Sequence, residues 1–427
     1  MRKSILALLT AACLAASTGL IAHTADASIA LPRVVSDDPA NFTPNVEDDA
    51  TVSHTAVYAL GQSGDTMYAG GNFRTVSNAA RTQSFTRTNI FSFSASSGTL
   101  TSFAPNVDGA VWAVNASPTA LYIAGTFTQV NGVARRGVAK LNPVTGAVDT
   151  AFNAALTSGS VTEIRLINGR LIIGGTFGKK LLALNPTTGV DTGYINLPIT
   201  GSVTSNAGPT EVYRFAVDPA GTHLVAVGNF TSVAGQSRSR AFMLDLGTTG
   251  ASLASWYYQP LQNLCRAASI PDYMRDVDFS PDGSYFVFVS TGYIPVDGGV
   301  GRDLCDATAR FETNLSSPVR PTWINYTGGD TLHSVAATGS AVYVQGHQRW
   351  LDNPAGNDSC LAGTGCVSRP GIGAIDPVTG KALSWNPTKT RGVGGKDLLV
   401  TPQGLWVASD GARTGGEFRK NIAFMPL

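Results

Sequence analysis

The sequence predicts an all-β fold, a seven-bladed β-propeller of four-stranded blades, on the evidence of a tandem repeat and of matching segments at the two ends. The unit VWAVNASPTALYIAGTF at residues 111–127 recurs at 57–73, 161–177 and 212–230. A polar loop follows each copy, and then a second signature such as LNPVTG at 141–146. Four short alternating runs separated by turn residues, repeated in tandem, are typical of propeller blades.

Strand starts divide the chain into seven units. The predicted first strand of each unit begins near one of these residues: Val57, Val111, Val161, Val212, Met274, Leu332 and Lys396. The seventh unit is short, and the FTPNV segment at 42–46 matches FAPNV at 103–107, the fourth strand of the first full unit. We therefore expect an N-terminal strand to complete the last blade and remove its open edge. Residues 41–427 form one predicted propeller domain, preceded by an arm at 28–40.

The loop motif and the Asn-Pro-x-Thr-Gly turn resemble the secreted bacterial propellers of the delta-60 repeat type and their fungal cell-surface relatives. The resemblance covers four of the seven units, and the fifth departs from it by reading DFSPDG at 278–283. It implies a propeller fold and a surface location. It implies no particular activity.

The N-terminus predicts export. Arg2 and Lys3 precede an apolar run at 5–16, and small residues end at Ala27, which predicts a signal peptide over 1–27. The apolar run is too short to span a bilayer, so no membrane insertion is expected. Loss of Arg2, Lys3 and Asp26 would bring the formal charge from +1 to zero. A neutral chain offers no electrostatic attraction to nucleic acid, and we expect a secreted or cell-surface monomer.

Four cysteines remain beyond the predicted signal peptide: Cys265, Cys305, Cys360 and Cys366. An even count in an exported chain predicts two disulfides, with three possible pairings. The short 360–366 loop favours pairing within it, which leaves Cys265 for Cys305. A zinc site is the alternative, although paired C-x2-C spacing is missing.

A basic residue stands before the third strand of most units: Arg87, Arg136, Lys179, Arg240, Arg369 and Lys420. A ring of cations could bind a polyanion. Since the predicted mature chain is neutral, we expect each one to pair instead with a carbonyl or carboxylate where blades meet.

Long insertions at 256–273, 292–309 and 347–369 interrupt blades four to six, in two loop classes that share one face of a propeller. They supply the predicted ligand-binding residues Trp256, Tyr257, Tyr273, His347 and Trp350. Aromatic rings stack on sugars, but such rings also commonly close the base of long loops, and both interpretations stand.

Charged residues gather on the predicted first strands, which line a propeller's central channel. They are Glu163, Arg214, Arg275, Asp276, His333, Lys396 and Asp397. Titratable groups converging in a concave site indicate function, and we include Arg275, His333, Lys396 and Asp397 among the predicted ligand-binding residues. Opposite charges that only satisfy one another are the structural alternative.

The leading functional hypothesis is a non-enzymatic propeller that recognises an extracellular glycan or surface protein through the insertions of blades four to six. No G-x-S-x-G, H-E-x-x-H or phosphate-loop motif is present. The alternative is a carbohydrate-active hydrolase or lyase, with Asp276 and Glu163 as acid and base and with Arg214 and His333 stabilising charge.

No cofactor is predicted, apart from a possible calcium ion. Asp352 and Asp358 could supply oxygen ligands to Ca²⁺, but they lack EF-hand spacing. Asp is also favoured in ordinary loops, where it caps turns without binding metal.

Overall fold

A computed structural model describes residues 29–203, 207–267, 269–315, 318–358, 360 and 365–427. The predicted signal peptide at 1–27 lies outside these residues. The regular secondary structure of the described chain is almost entirely β-strand, and a 3-10 helix spans Gln259–Gln262. Among the described residues, no helix has the length and apolar character needed to cross a membrane.

Seven larger antiparallel sheets follow one another along the described chain. Sheets one to three contain Ala56–Ser63, Thr66–Asn72 and Ile90–Ser94; Val111–Ala116, Leu121–Gly125 and Val138–Leu141; and Val161–Ile167, Arg170–Gly175 and Leu181–Leu184. Sheets four and five contain Glu211–Val217, His223–Asn229, Ala241–Leu246 and Ala251–Leu253; and Met274–Phe279, Tyr285–Ser290, Ala307–Glu312 and Trp323–Tyr326. Sheets six and seven contain Leu332–Ala337, Val342–Gly346 and Ile372–Ile375; and Gly395–Thr401, Gly404–Ser409 and Ile422–Pro426.

The first strand of each sheet, here called the inner strand, begins within one residue of its predicted start. Inner strands of successive sheets contact each other, and the inner strand of sheet seven contacts that of sheet one. Apolar clusters fill the spaces between neighbouring sheets, including the space between sheets seven and one, where Phe93 and Trp406 pack edge to face at 5.6 Å. This packing is typical of a propeller, because each sheet buries both of its faces against neighbours.

Four full strands occur only in sheets four and five of the described chain. In sheets one, two, three and six the predicted outer strand is reduced to one bridge, such as that between Leu141 and Val148. The prediction of four-stranded blades is wrong for these sheets in the extent of the fourth strand. A large side chain a few residues further along turns into the core, as Phe152 does after Val148.

Every inner strand carries a β-bulge after its first or second residue, opposite the end of the second strand. The extra residues are Tyr58, Trp112, Thr162, Tyr213, Arg275, His333 and Lys396. A bulge re-aims side chains at the end of a strand. Because the bulge recurs at the same point of every inner strand, it brings one side chain from each sheet to the same level.

Five small sheets decorate the larger ones within the described residues, most of them hairpins in the polar loops. Their strands are Asn45–Val46, Thr75–Ser77 and Ser84–Thr86; Gln129–Val130 and Val133–Ala134; Ile199–Thr200, Ser232–Val233 and Gln236–Ser237; Trp350–Leu351 and Val367–Ser368; and Arg413–Thr414 and Glu417–Phe418.

The basic residues before the third strands make structural contacts, as expected. Arg87 donates to the carbonyl oxygen of Thr101 at 2.8 Å, and Arg369 donates to that of Leu383. In sheets two and seven the neighbouring residue takes this role, since Arg135 donates to the Thr150 carbonyl and Arg419 to the Ala40 carbonyl. The predicted Lys420 nevertheless pairs with the carboxylate of Asp48 at 2.6 Å, so the predicted position was one residue late only in sheet two.

The N-terminal segment runs along the outer edge of sheet seven. The amide nitrogens of Ser36 and Ala40 donate to the carbonyls of Pro426 and Phe424 at 2.7 and 2.8 Å. Leu31 and Val35 are buried against sheets six and seven, so the predicted arm at 28–40 is packed over its described part.

The cysteines pair as predicted, Cys265 with Cys305 and Cys360 with Cys366, at Sγ–Sγ distances of 2.00 and 1.99 Å. The first pair joins the connection between sheets four and five to the loop inside sheet five. The insertions also touch one another, because the Arg266 amide donates to the Ile294 carbonyl at 2.9 Å and the Tyr293 hydroxyl donates to Asp358 at 3.2 Å.

Candidate functional site

The bulges of the inner strands surround a cavity of about 300 Å³, here called the inner-strand cavity. Six of the seven bulge residues line it: Tyr58, Trp112, Thr162, Tyr213, His333 and Lys396. Glu211, Arg214 and Gly395 complete the lining. Six sheets therefore contribute to one concave site of the size that small ligands occupy.

Arg214 forms the base of this cavity. Its Nη1 donates to the carbonyl oxygen of Thr162 at 2.6 Å and to Oε2 of Glu163 at 2.9 Å. The same guanidinium also lines a smaller cavity of about 100 Å³, which Glu163, Asp276 and Asp397 share. We call these four residues the charged floor, because Arg214 lines both cavities and the three carboxylates line the smaller one beside it.

The carboxylates of the charged floor also hold neighbouring sheets together. Asp276 accepts from the amide of Val335 at 3.0 Å, and Asp397 accepts from the amide of Leu60 at 2.8 Å. Burial raises the pKa of Asp276 to about 7, against the opposing effect of Arg214, and burial also raises the pKa of Asp397. The structural alternative predicted from the sequence was that opposite charges only satisfy one another. Many contacts of the charged floor fit that alternative.

Aromatic rings and cations lie together at two places around the cavity. The Tyr213 and Tyr273 rings lie 5.7 Å apart, and the Arg275 guanidinium packs over both at 5.4 and 4.7 Å. Lys396 lies with its Nζ 5.8 Å from the centre of the Tyr58 ring. A cation over an aromatic face is attracted by the ring and keeps its charge. Both places therefore combine ring surface with positive charge.

Glu211 is a lining residue that the sequence analysis missed. It is 8% exposed, and burial raises the pKa of its carboxyl to about 7, against the attraction of Arg275 and Lys180. The corresponding residues of the other inner strands include Ala56, Ala110 and Ser160. Glu211 is the one acid at this position of the seven repeats, where the other residues are uncharged, and that was the available signal.

His333 and His347 meet at the carbonyl oxygen of Val393, each with a ring nitrogen 3.1 Å from it. The amide of Thr331 donates to Nε2 of His347 at 3.2 Å, so Nδ1 is the ring nitrogen that faces the Val393 carbonyl. Burial, with the nearby charge of Arg275, holds the pKa of His333 well below its usual range. Both rings thus donate to one carbonyl oxygen.

The predicted loop aromatics divide between core and surface. Trp256 is 2% exposed and packs edge to face against Phe286 and Phe311 at 5.3 and 5.6 Å, so its ring stabilises sheet five. Its sequence neighbour Tyr257 lines a separate groove of about 570 Å³ between the insertions. We therefore leave Trp256 out of the proposed ligand site.

Tyr273 and Trp350 differ from Trp256 in that neither packs in the core of sheet five. Tyr273 is mostly buried, but its ring packs against Tyr213 at the cavity wall. Trp350 is half-buried in the short strand Trp350–Leu351, which pairs with Val367–Ser368 inside the third insertion. Of these two aromatics, only Tyr273 contacts a residue of the cavity lining among the contacts described.

The calcium candidates are engaged by protein groups. Asp358 pairs with Arg349 at 2.9 Å, and Asp352 accepts from the amide of Ala382 at 3.1 Å. Within the described residues, no three His, Cys, Asp or Glu side chains group in a way that could hold a metal ion. Asp352 and Asp358 therefore serve as loop and turn partners in this structure.

Comparison with known proteins identifies the fold. Residues 121–152, the outer part of sheet two, match the family described as "Domain of unknown function (DUF5122) beta-propeller". No curated protein matches the chain. The match and the sheet topology together define an all-β, propeller-like protein.

Several solved structures resemble the chain at low identity. Hydrazine synthase from Kuenenia stuttgartiensis is 11% identical with a TM-score of 0.49, covering 84% of this chain and 93% of that one. BamB from Moraxella catarrhalis is 11% identical with a TM-score of 0.43, covering 94% and 93%. The computationally designed Ika8 protein is 12% identical with a TM-score of 0.47, covering 90% and 98%. None of these likenesses carries a function to this chain.

Proposed function

We propose that this chain is a secreted, non-enzymatic β-propeller that binds an extracellular glycan in the inner-strand cavity, beneath the rim formed by its three insertions. The carrying observation is the composition of the cavity, where the rings of Tyr58, Trp112 and Tyr213 face polar groups from other sheets. Aromatic faces supply apolar contact for sugar rings, and polar groups fix their hydroxyls. A concave site of this size suits a few sugar units better than a protein surface.

The proposed architecture is a ring of seven blades, closed by the N-terminal segment as the outer strand of the last blade. The cyclic contacts of the inner strands support it. So does the contact of Arg419 with the Ala40 carbonyl, which repeats the contact of Arg87 with Thr101 in sheet one. Val46 also pairs with Val76, as Val107 pairs with Val130 one unit later.

Export to the cell exterior, and membership of the delta-60 repeat type, are parts of the same proposal. The two disulfides fit an extracellular location, because reducing compartments keep thiols free. The predicted signal peptide at 1–27 and the repeated loop motif add support from the sequence. We propose a monomer, with residues 41–427 as a single domain.

A Trp112→Ala variant tests the ligand site. Trp112 lines the cavity from a bulge, so its loss should weaken binding to the glycans captured by the wild-type protein on an array by tenfold or more. Phe85→Ala, on an outer hairpin, is the control and should leave binding unchanged. Equal binding by wild type and Trp112→Ala, with the fold intact by circular dichroism, would place the site elsewhere.

A carbohydrate-active hydrolase or lyase is the second candidate, and the raised pKa of Glu211 is the observation that favours it. A carboxyl with a pKa near 7 in a cavity can act as a general acid at neutral pH. Asp276 and Glu163, the acid and base predicted from the sequence, would then influence the charge of Glu211. Arg214 and His333 would stabilise charge around them. Release of reducing ends by wild type, lost in Glu211→Gln with binding retained, would establish this candidate.

A further inference from the structure

We propose that the bound glycan is acidic, and that the ammonium of Lys396 pairs with its singly charged group, a uronic-acid carboxylate or a sugar sulfate ester. This inference rests on the proposed glycan-binding function and specifies its ligand class. It follows from a comparison of which cations in and around the inner-strand cavity already have polar partners in the protein.

Lys396 is the cavity cation without a polar partner. In the described part of the chain its Nζ makes no hydrogen bond or ion pair, and its contact with the Tyr58 ring is 5.8 Å long. The nearby carboxylate of Asp410 is already occupied, because it accepts from the amides of Val393 at 2.8 Å and Gly394 at 3.2 Å. A charged group that is partly desolvated and unpaired is stabilised by an incoming opposite charge.

The other nearby cations are committed to the protein. Arg214 is paired with Glu163, and Arg275 is stacked between two tyrosine rings with its Nη1 3.4 Å from the Tyr213 hydroxyl. Lys389, just outside the cavity, donates to the carbonyl of Thr390 at 3.1 Å. One available ammonium above a floor rich in carboxylates suits one negative charge, since a second would meet repulsion from the floor.

The aromatic residues place this charge on a sugar. Tyr58 lies beside Lys396, and Trp112 lines the same cavity. A pyranose ring carrying a carboxylate or sulfate next to a CH face can contact ring and ammonium together. A free inorganic anion would leave the aromatic surface unused.

Isothermal titration of matched disaccharides tests the inference. The probes are cellobiouronic acid, cellobiose 6-sulfate and neutral cellobiose, each titrated into wild type, Lys396→Gln, Lys396→Arg and Lys381→Gln. Lys381 lies on an exposed turn of sheet six and is the matched control. We expect at least one acidic probe to bind about tenfold more tightly than cellobiose, with this preference lost in Lys396→Gln and kept in Lys396→Arg and Lys381→Gln.

The outcomes separate the inference from the proposed function. Equal affinity for acidic and neutral probes, or a preference that survives in Lys396→Gln, overturns the acidic-glycan inference while glycan binding stands. Capture of only neutral glycans on an array overturns it as well. Failure of the array and of all three probes to bind overturns the proposed function itself, and the inference falls with it. Preference for the carboxylate or for the sulfate identifies the charged group.

Discussion

At the residue scale, single departures from the repeat create the site. The column of residues after the bulges reads Ala59 and Ala113 in the first two sheets, and then Glu163, Arg214, Asp276, Ser334 and Asp397. The small residues leave room, and the Arg214 guanidinium occupies it, donating to the carbonyl of Thr162 on sheet three at 2.6 Å and to that of Trp112 on sheet two at 3.4 Å. A cation that extends past the neighbouring sheet gives the cavity a base.

The raised pKa of Glu211 predicts a pH-dependent stability. The unfolded chain ionises this carboxyl near its ordinary value of 4.5, whereas burial raises the pKa to about 7 in the folded protein. The folded state therefore holds the proton more tightly, and the free energy of unfolding should fall as the pH rises from about 4.5 to about 7. Glu211 contributes at most about 1.4 kcal/mol per pH unit to this slope.

Urea unfolding at several pH values measures this effect. Glu211→Gln should flatten the fall between pH 5 and 7, while the control Glu417→Gln on an outer hairpin should keep the wild-type slope. The charged neighbours of Glu211, Arg275 and Lys180, remain cationic in this window, and Tyr273 remains neutral. Asp276 has a pKa raised in the same direction, so part of the slope should persist. An unaltered slope in Glu211→Gln would contradict the assignment.

At the element scale, the bulge is the device that builds the cavity. The alternating pattern of the inner strands predicted where each strand begins, because alternate residues are buried. It did not predict the bulges, since an extra residue does not interrupt the alternating pattern in a recognisable way. The only trace of a bulge in the sequence is a large or charged side chain beside a small one. Tyr58 next to Ala59 and Trp112 next to Ala113 are examples of that trace.

The edge of sheet seven yields a prediction about the N-terminal segment. Removal of residues 28–43 from a chain that begins at Ser28 should lower the free energy of unfolding by about 5 kcal/mol or more. The truncation deletes two backbone hydrogen bonds to sheet seven and the buried side chains of Leu31 and Val35. It also exposes a strand edge that can pair with another chain.

Urea unfolding and light scattering follow the two consequences. A chain beginning at Ser28 is the reference and should be monomeric. The truncated chain should unfold at lower urea and form dimers or larger species. Unchanged stability and mass would show that residues 28–43 do not close the proposed ring.

At the scale of the whole molecule, the insertions of sheets four to six form a braced rim on one side of an otherwise regular assembly. Cys265–Cys305 closes 40 residues, and Cys360–Cys366 closes 6. Hydrogen bonds between loops of adjacent sheets, such as Tyr293 to Asp358, continue the brace. The aromatic content of these loops serves this packing in part, as the burial of Trp256 demonstrates.

The two disulfides should contribute unequally to stability. On the chain-entropy model, the longer loop is worth about 4 kcal/mol and the shorter about 2 kcal/mol. Cys265→Ser with Cys305→Ser should therefore destabilise the protein more than Cys360→Ser with Cys366→Ser, as measured by urea unfolding. The reverse order would indicate that the 265–305 bridge does not constrain the unfolded chain as proposed.

The repeats allowed the β-propeller fold and the strand starts to be predicted, and the spacing of the cysteines allowed their pairing to be predicted. These features depend on local patterns, namely alternation, turn residues and short loops, which adjacent residues encode. The conserved geometry of the Asn-Pro-x-Thr-Gly turn is one example, because Asn142 accepts from the amides of Val144 and Thr145 within the turn itself.

The candidate site was predicted in part. Lys396, His333 and Arg214 were named from their position on the inner strands, and they line the cavity. Glu211 was missed because its environment comes from Arg275 and Lys180 on neighbouring sheets. Trp256 was named as a ligand-binding candidate, with closure of a loop base as the alternative, because the sequence cannot distinguish an exposed ring in a loop from one that folds back into a core.

The sequence by itself determined the repeated β-architecture, the disulfide partners and which few residues break the pattern. Only the tertiary structure decided which of those residues share a cavity, which charges are already paired and which ring is buried. The physical reason is that local order follows from neighbouring residues along the chain. Burial, desolvation and charge pairing depend instead on side chains contributed by different sheets, such as Lys396 from sheet seven beside Tyr58 from sheet one.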